Sequence, residues 1–310
     1  MARHVTQRSA TRAAASEPPA LASRVPPHAF FMVSAVFHYL GPAFAVLLFA
    51  AVAPLGVAWL RIASAAVVFA LWRRPWRLFL VGSWRRTRIL IALGVVLALM
   101  NACFYLAIAR LPLGTVGAIE FLGPILLAVL GLRTRRNVLA LLLAVAGVWL
   151  LTDVRLAGQP VGFVFAFANC VLFIGYVVLG HRIANEPPAT ATEKRGNETG
   201  IDRLGAAMLV ALVAITPLGL AGAAPTFAQP QLLLAGIGVG ICSSVIPYVC
   251  DQLAMARLPR ATFALLLALL PACATVIGAV VLRQIPTPVE IAGVALVIAG
   301  VAVHQELHEA

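Results

Sequence analysis

The chain reads as an all-α polytopic membrane protein of ten transmembrane helices in two inverted five-helix repeats. Three observations lead there: composition, the spacing of apolar segments, and a segment that recurs. Of 310 residues, 62% are apolar and only 11% are charged. Soluble proteins carry about 25% charged residues, so this composition suits a protein solvated by lipid. The recurrence runs from Cys103, Leu106, Ala107, Ala109, Arg110, Leu111, Pro112 and Thr115 to Cys250, Leu253, Ala254, Ala256, Arg257, Leu258, Pro259 and Thr262. Pro124 returns as Pro271 in the same frame. Two copies of one unit in an apolar chain imply two half-bundles with a site between them, the architecture of a carrier.

A membrane span needs about 20 predominantly apolar residues. That criterion gives helices at 30–50, 54–72, 89–109, 112–132, 137–152, 160–181, 204–222, 231–256, 259–282 and 288–304. Proline marks several starts, at Pro54, Pro112, Pro160, Pro259 and Pro288, because a helix's first turn does not need its N–H. Residues 1–29 read as a disordered cytoplasmic tail, 30–152 as the first repeat and 160–304 as the second. Residues 183–203, with Pro187-Pro188 and mixed charges, read as a cytoplasmic connector.

Orientation follows from the basic residues. With the N-terminus inside, nineteen of the 23 Lys and Arg fall in the tail, the 73–88 loop, 133–136, 182–203, Arg257 and Arg260. Arg110, Arg155 and Arg283 fall outside, and Arg61 lies within a span. The positive-inside rule then places both termini in the cytoplasm. Five helices per half is an odd number, so the second half runs inverted relative to the first. The net charge of +12 would suit nucleic acid on a soluble fold. Here it is confined to short runs between spans, so no nucleic-acid partner is expected. The five cysteines lie in apolar segments without metal-ligand spacing. No disulfide, metal or cofactor is expected.

Ionisable groups at membrane depth cost about 2.5–3.5 kcal/mol on insertion scales and mark functional sites. Glu120 falls near mid-bilayer, with Gly117, Gly123 and Pro124 on its helix face. Pro124 lacks an N–H and so frees the Glu120 carbonyl; Pro271 does the same for Leu267 in the other half. Asp251 shares a stripe with Ser244, Tyr248 and Gln252, while Asn101 and Tyr105 form a shorter one on the repeat-related helix. Asn169 and Tyr176 extend the polar surface, and Arg61 is the remaining ion. Structural roles compete with these. Glu120 fits a carboxyl bonded to a neighbouring helix, and Asp251 a solvated helix end or a partner of Arg257. Tyr105 and Tyr248 fit an interfacial belt, Asn101 a helix–helix hydrogen bond, and Arg61 a bridge or an outward-reaching side chain. His38 and His181 fit simple packing. Gly236, Gly238 and Gly240 fit close helix contact rather than a phosphate loop.

Several runs carry a family resemblance. Asn101-Ala102-Cys103-Phe104-Tyr105, Pro112-Leu113-Gly114 and Ile119-Glu120-Phe121-Leu122-Gly123-Pro124 resemble the drug/metabolite transporter superfamily, in its EamA-domain branch that includes threonine/homoserine exporters. So do Leu60-Arg61-Ile62, Arg74-Pro75-Trp76-Arg77, Tyr176 through Arg182, and Ser244-Val245-Ile246-Pro247-Tyr248 leading to Arg257-Leu258-Pro259. The resemblance covers nearly all of 30–304. It implies ten helices in two EamA repeats in the bacterial inner membrane, and export of small amino-acid-like solutes, with proton exchange as a candidate driving force. By the same likeness Glu120 matches the acid of the Glu-Phe-x-Gly-Pro motif, and Asp251 stands where the family carries an acid. The exporter pattern has Lys at Val46, Glu at Leu270 and Gly-Glu at Arg283-Gln284, and these departures bear on the substrate.

The expected mechanism is alternating access around a site of Glu120, Asn101, Tyr105, Tyr248, Asp251 and Arg61. Glu120 is the expected proton carrier, and Pro124 and Pro271 the helix breaks. The substrate expected is an amino acid, its ammonium near Glu120 and its carboxylate near Arg61 or helix-end amides. Nucleobases, sugar phosphates, amines and cationic drugs are alternatives. A membrane enzyme acting on lipid would need a nucleophile with a base, paired acids or a metal cluster, and the loops offer none.

Overall fold

The computed structural model describes residues 25–81, 83–131, 134–153, 159–185, 200–255, 257, 266 and 269–303. Its elements are helical throughout. In order they are α1 (Pro27–Leu48), α2 (Pro54–Arg73), α3 (Arg77–Val81), α4 (Trp84–Ile108), α5 (Leu113–Glu120), α6 (Leu122–Gly131) and α7 (Arg135–Asp153). Then follow α8 (Pro160–Asn185), α9 (Gly200–Phe227), α10 (Pro230–Gly240), a π-helical turn (Ile241–Val245), α11 (Ile246–Met255), α12 (Leu270–Leu282) and α13 (Pro288–Val303). Among the described residues, six helical stretches are long and apolar enough to cross a membrane, and Leu113–Leu127, Leu270–Leu282 and Pro288–Val303 are shorter apolar helices.

Several expected boundaries move. Helix α1 starts at Pro27, inside the segment read as tail. The connector's ends are helical, since α8 runs to Asn185 and α9 begins at Gly200. An ion pair holds the latter end: Arg73 donates from Nε to one oxygen of Asp202 at 2.8 Å and from a second nitrogen to the other at 2.9 Å. The fourth span is two helices broken at Phe121, and Pro124 stands in the first turn of α6, where a missing N–H costs nothing. Pro271 is likewise in the first turn of α12; Leu267 lies outside the described residues, as do residues 1–24 and 186–199.

Between lipid-solvated helices the hydrophobic effect offers little, so association relies on close packing at small residues. Helix α2 packs along α9, with Gly56 against the Gly222 backbone and Gly219 against the Leu55 carbonyl. Trp59 Nε1 adds a hydrogen bond to Thr216 Oγ1 at 2.9 Å. Helices α7 and α13 meet at Gly147 and Gly293, and Gly300 lies on the Ala140 carbonyl. Helix α4 packs on α8 and α9, and α1 packs on α11, α12 and the π-turn. Of the three glycines in α10, Gly236 and Gly240 meet Leu60 and Ser64, whereas Gly238 faces open space.

Helix ends carry local caps. Thr287 and Glu290 form a reciprocal capping box: Thr287 N–H donates to Glu290 Oε2 at 2.8 Å, and Glu290 N–H donates to Thr287 Oγ1 at 3.3 Å. The α5 N-terminus is capped across the bundle, where Leu113 N–H donates to Gln284 Oε1 at 3.0 Å.

Gly56→Val places atoms inside the Gly222 backbone and should cost about 1–3 kcal/mol. Its thermal midpoint in detergent should fall by several degrees, while Gly238→Ala should leave it unchanged. Equal midpoints for the two variants would show that the α2–α9 contact does not carry the assembly.

Candidate functional site

Arg61 is 5% exposed, two turns into α2, and its charge is satisfied from another helix. Nε donates to Ser244 Oγ at 2.9 Å, and a terminal nitrogen donates to the Ser243 carbonyl at 3.1 Å. That carbonyl belongs to the π-turn. A π-turn displaces the i→i+4 ladder, which turns backbone oxygens toward a side chain. Ser243 Oγ turns back to the Val239 carbonyl at 2.6 Å. Gly41 of α1 lets the π-turn approach, since a side chain there would strike the Ser243 backbone. The guanidinium lies over the Tyr105 ring, 5.6 Å from its centroid, and beside Tyr248. Cation–π contact of this kind is worth about 2 kcal/mol where desolvated.

Glu120 ends α5 and is 7% exposed. Asn169 Nδ2 of α8 donates to its Oε1 at 3.3 Å. Arg61 and the Tyr39 and Tyr248 hydroxyls lie within electrostatic reach of the carboxylate. The helix break leaves Glu120 at a C-terminus, and Gly117 one turn earlier admits Tyr39, whose hydroxyl lies 3.1 Å from where a Cβ would stand.

All four tyrosines of the chain converge here. Tyr39 and Tyr105 are fully buried, and Tyr176 and Tyr248 half-buried. The Tyr39 and Tyr105 hydroxyls make no hydrogen bond of acceptable geometry, although Arg61 and Ser243 lie beside Tyr105. Asn169 Oδ1 is also buried without a partner. Each such atom costs about 1–3 kcal/mol. Three of them lie around the Glu120 carboxylate and the Arg61 guanidinium.

The expected residues divide. Arg61, Glu120, Tyr105 and Tyr248 come together, with Asp251 at the edge, half-buried against Ser34 and near Tyr176 and Tyr248. Asn101 is buried, but its amide donates to the Leu97 carbonyl of its own helix at 2.8 Å and bridges to no neighbour. The Gln252 side chain lies outside the described residues. Tyr39 and Ser243 were not anticipated. A signal for Tyr39 existed: Pro42, inside α1, frees the carbonyl of the adjacent His38, as Pro124 was expected to do for Glu120. Nothing in the sequence announces a π-turn at Ser243.

A small cavity of about 20 Å³ lies elsewhere, between Pro112, Thr115, Gln284 and Glu290 at the ends of α5, α12 and α13. It holds about one water and adjoins none of the central ions.

Because the two hydroxyls are unpartnered, Tyr39→Phe and Tyr105→Phe should be neutral or raise stability, by up to about 1–3 kcal/mol. Chemical denaturation in micelles measures this, and a marked loss in either variant would mean its hydroxyl is bonded after all.

Residues 196–304 match the model of the EamA-like transporter family. The threonine/homoserine exporter RhtA of Escherichia coli (strain K12) is 31% identical over 266 residues, covering 84% of each chain. The exporter of the same name from Salmonella typhimurium (strain LT2) is 29% identical over 265 residues, again 84% of each. One solved crystal structure, 21% identical, shares the fold with a TM-score of 0.51, covering 89% of this chain and 96% of that one. Its apolar helices, the ion-bearing break between them and its 31% identity to an exporter over most of its length make this chain a multi-pass membrane protein of the EamA-like transporter family.

Proposed function

We propose that this protein exports small amino-acid-like solutes of the threonine or homoserine type, by alternating access between two inverted five-helix repeats, 30–152 and 160–304. The observation that carries the reading is that Arg61 and Glu120, both in the first half and within electrostatic reach of each other, are each hydrogen-bonded to the second half, at Ser244 and Asn169, beside buried polar atoms that lack a hydrogen-bond partner. A zwitterion needs a partner at each end, because an unpaired charge in a low-dielectric site is prohibitive. Arg61 receives the carboxylate. Glu120, with the Tyr39 and Tyr105 hydroxyls, receives the ammonium. Tyr248 borders the same space, and Asn101 and Asp251 line its approach.

Helix packing supports the inverted repeat. Exchanging the halves maps α2 on α9, and α7 on α13, onto themselves. It maps α1 against α11 and the π-turn onto α4 against α8. A break at Phe121 precedes Pro124, and a turn at Leu269 precedes the repeat-related Pro271, as expected where a midplane site uses discontinuous helices. The protein sits in the bacterial inner membrane with both termini cytoplasmic, as its basic loops require. Glu120 carries the coupled proton: solute arriving at the protonated site displaces it, and the reset step returns it.

In proteoliposomes loaded with labelled threonine, Glu120→Gln should abolish the pH-driven component of efflux and also weaken threonine exchange, because Glu120 receives the ammonium. Undiminished pH-driven efflux would eliminate proton coupling at Glu120. Arg61→Gln should cut efflux at least about tenfold, since an ion-paired hydrogen bond is worth roughly 1.5–3 kcal/mol. A variant that transports threonine normally would remove Arg61 from the site.

A further inference from the structure

A different surface carries a different ligand. Between α2 and α4 the chain turns through residues 72–88, which hold three of its five tryptophans, six arginines and no acid. Helix α3 is pinned inward by Leu78 and Phe79, and Pro75 is buried. Arg86 is buried too, while several other side chains of the turn are exposed. Leu80 is 79% exposed, Trp84 74% and Trp72 53%, with Trp76 exposed as well. Among them stand the exposed Arg74, Arg77 and Arg88. Arg73 is excluded from this set, because it is committed to Asp202 and lies over the Trp72 ring at 5.8 Å. Its bidentate pair anchors the turn to the start of α9.

Arg74 shapes the surface. It closes α2 in the left-handed region, at φ 52° and ψ 51°, which non-glycine residues adopt rarely. The chain turns there, and Trp72, Arg74 and Trp76 are all exposed.

Tryptophan's amphipathic ring sits at headgroup depth, so three exposed rings fix the level of this turn in a bilayer. At that depth the chemical group facing exposed guanidiniums is the lipid phosphodiester, which arginine binds as a planar fork. We propose that the 72–88 turn is a binding site for the headgroup of an anionic phospholipid, held by Arg74, Arg77 and Arg88 and bounded by Trp76 and Trp84. Charge complementarity selects the occupant. A zwitterionic headgroup also offers phosphate, but residues 72–88 supply no acid for its ammonium, and Asp202 beside them is committed to Arg73.

Native mass spectrometry of the full-length protein in neutral detergent tests this, with phosphatidylglycerol, phosphatidylcholine and soluble glycerol phosphate titrated separately. Phosphatidylglycerol should bind more tightly than phosphatidylcholine, and glycerol phosphate should not compete. The variant Arg74→Gln/Arg77→Gln/Arg88→Gln should lose at least about tenfold in phosphatidylglycerol affinity, from the electrostatic worth of three cations near a headgroup. The corresponding triple Lys variant should keep the preference, which separates lost charge from misfolding. Equal affinity for the two lipids, a preference that survives the Gln substitutions, or effective competition by glycerol phosphate would each overturn the assignment.

Discussion

Hydrocarbon offers no hydrogen bonds, so an ion inside a membrane bundle must find every partner in the protein. Arg61 meets that demand in a way that organises its surroundings. Its Nε takes the Ser244 hydroxyl, and a terminal nitrogen takes a backbone oxygen turned outward by the π-turn. The π-turn in turn needs space, which Gly41 of α1 and the close pairing of Gly240 with Ser64 supply. One guanidinium thereby fixes the register of α2 against the central helix and of that helix against α1. Tyr105 covers the ion, Tyr248 borders it, and Glu120 lies within its electrostatic reach.

The bundle separates rigidity from reactivity. Helix pairs at its flanks, α2 with α9 and α7 with α13, are sealed by glycines whose backbones touch. Such contacts leave no room for small adjustments, and packed interfaces of this kind move as units. Polar atoms gather instead at the breaks: the end of α5, the π-turn, and the proline of α1. A membrane bundle cannot expose unsatisfied backbone to lipid, and these breaks lie where polar side chains are already at hand.

Much of this was legible from composition and spacing. Apolar segments of membrane length, prolines at helix starts and lone ions within spans all act locally, so the residues themselves announce them. Glu120, Arg61, Tyr105 and Tyr248 were identifiable because a charge or phenol in hydrocarbon is costly wherever its helix packs. What the sequence could not supply were the partners. Asn101 has the same chemistry as Asn169, yet one folds back on its own helix and the other reaches Glu120. Tyr39 joins the site only because Gly117, far along the chain, leaves a gap for its hydroxyl. The π-turn offers the Ser243 carbonyl to Arg61, 182 residues upstream. Periodicity and polarity belong to the chain by itself; which polar groups meet depends on contacts between distant helices, and tertiary packing alone decides those.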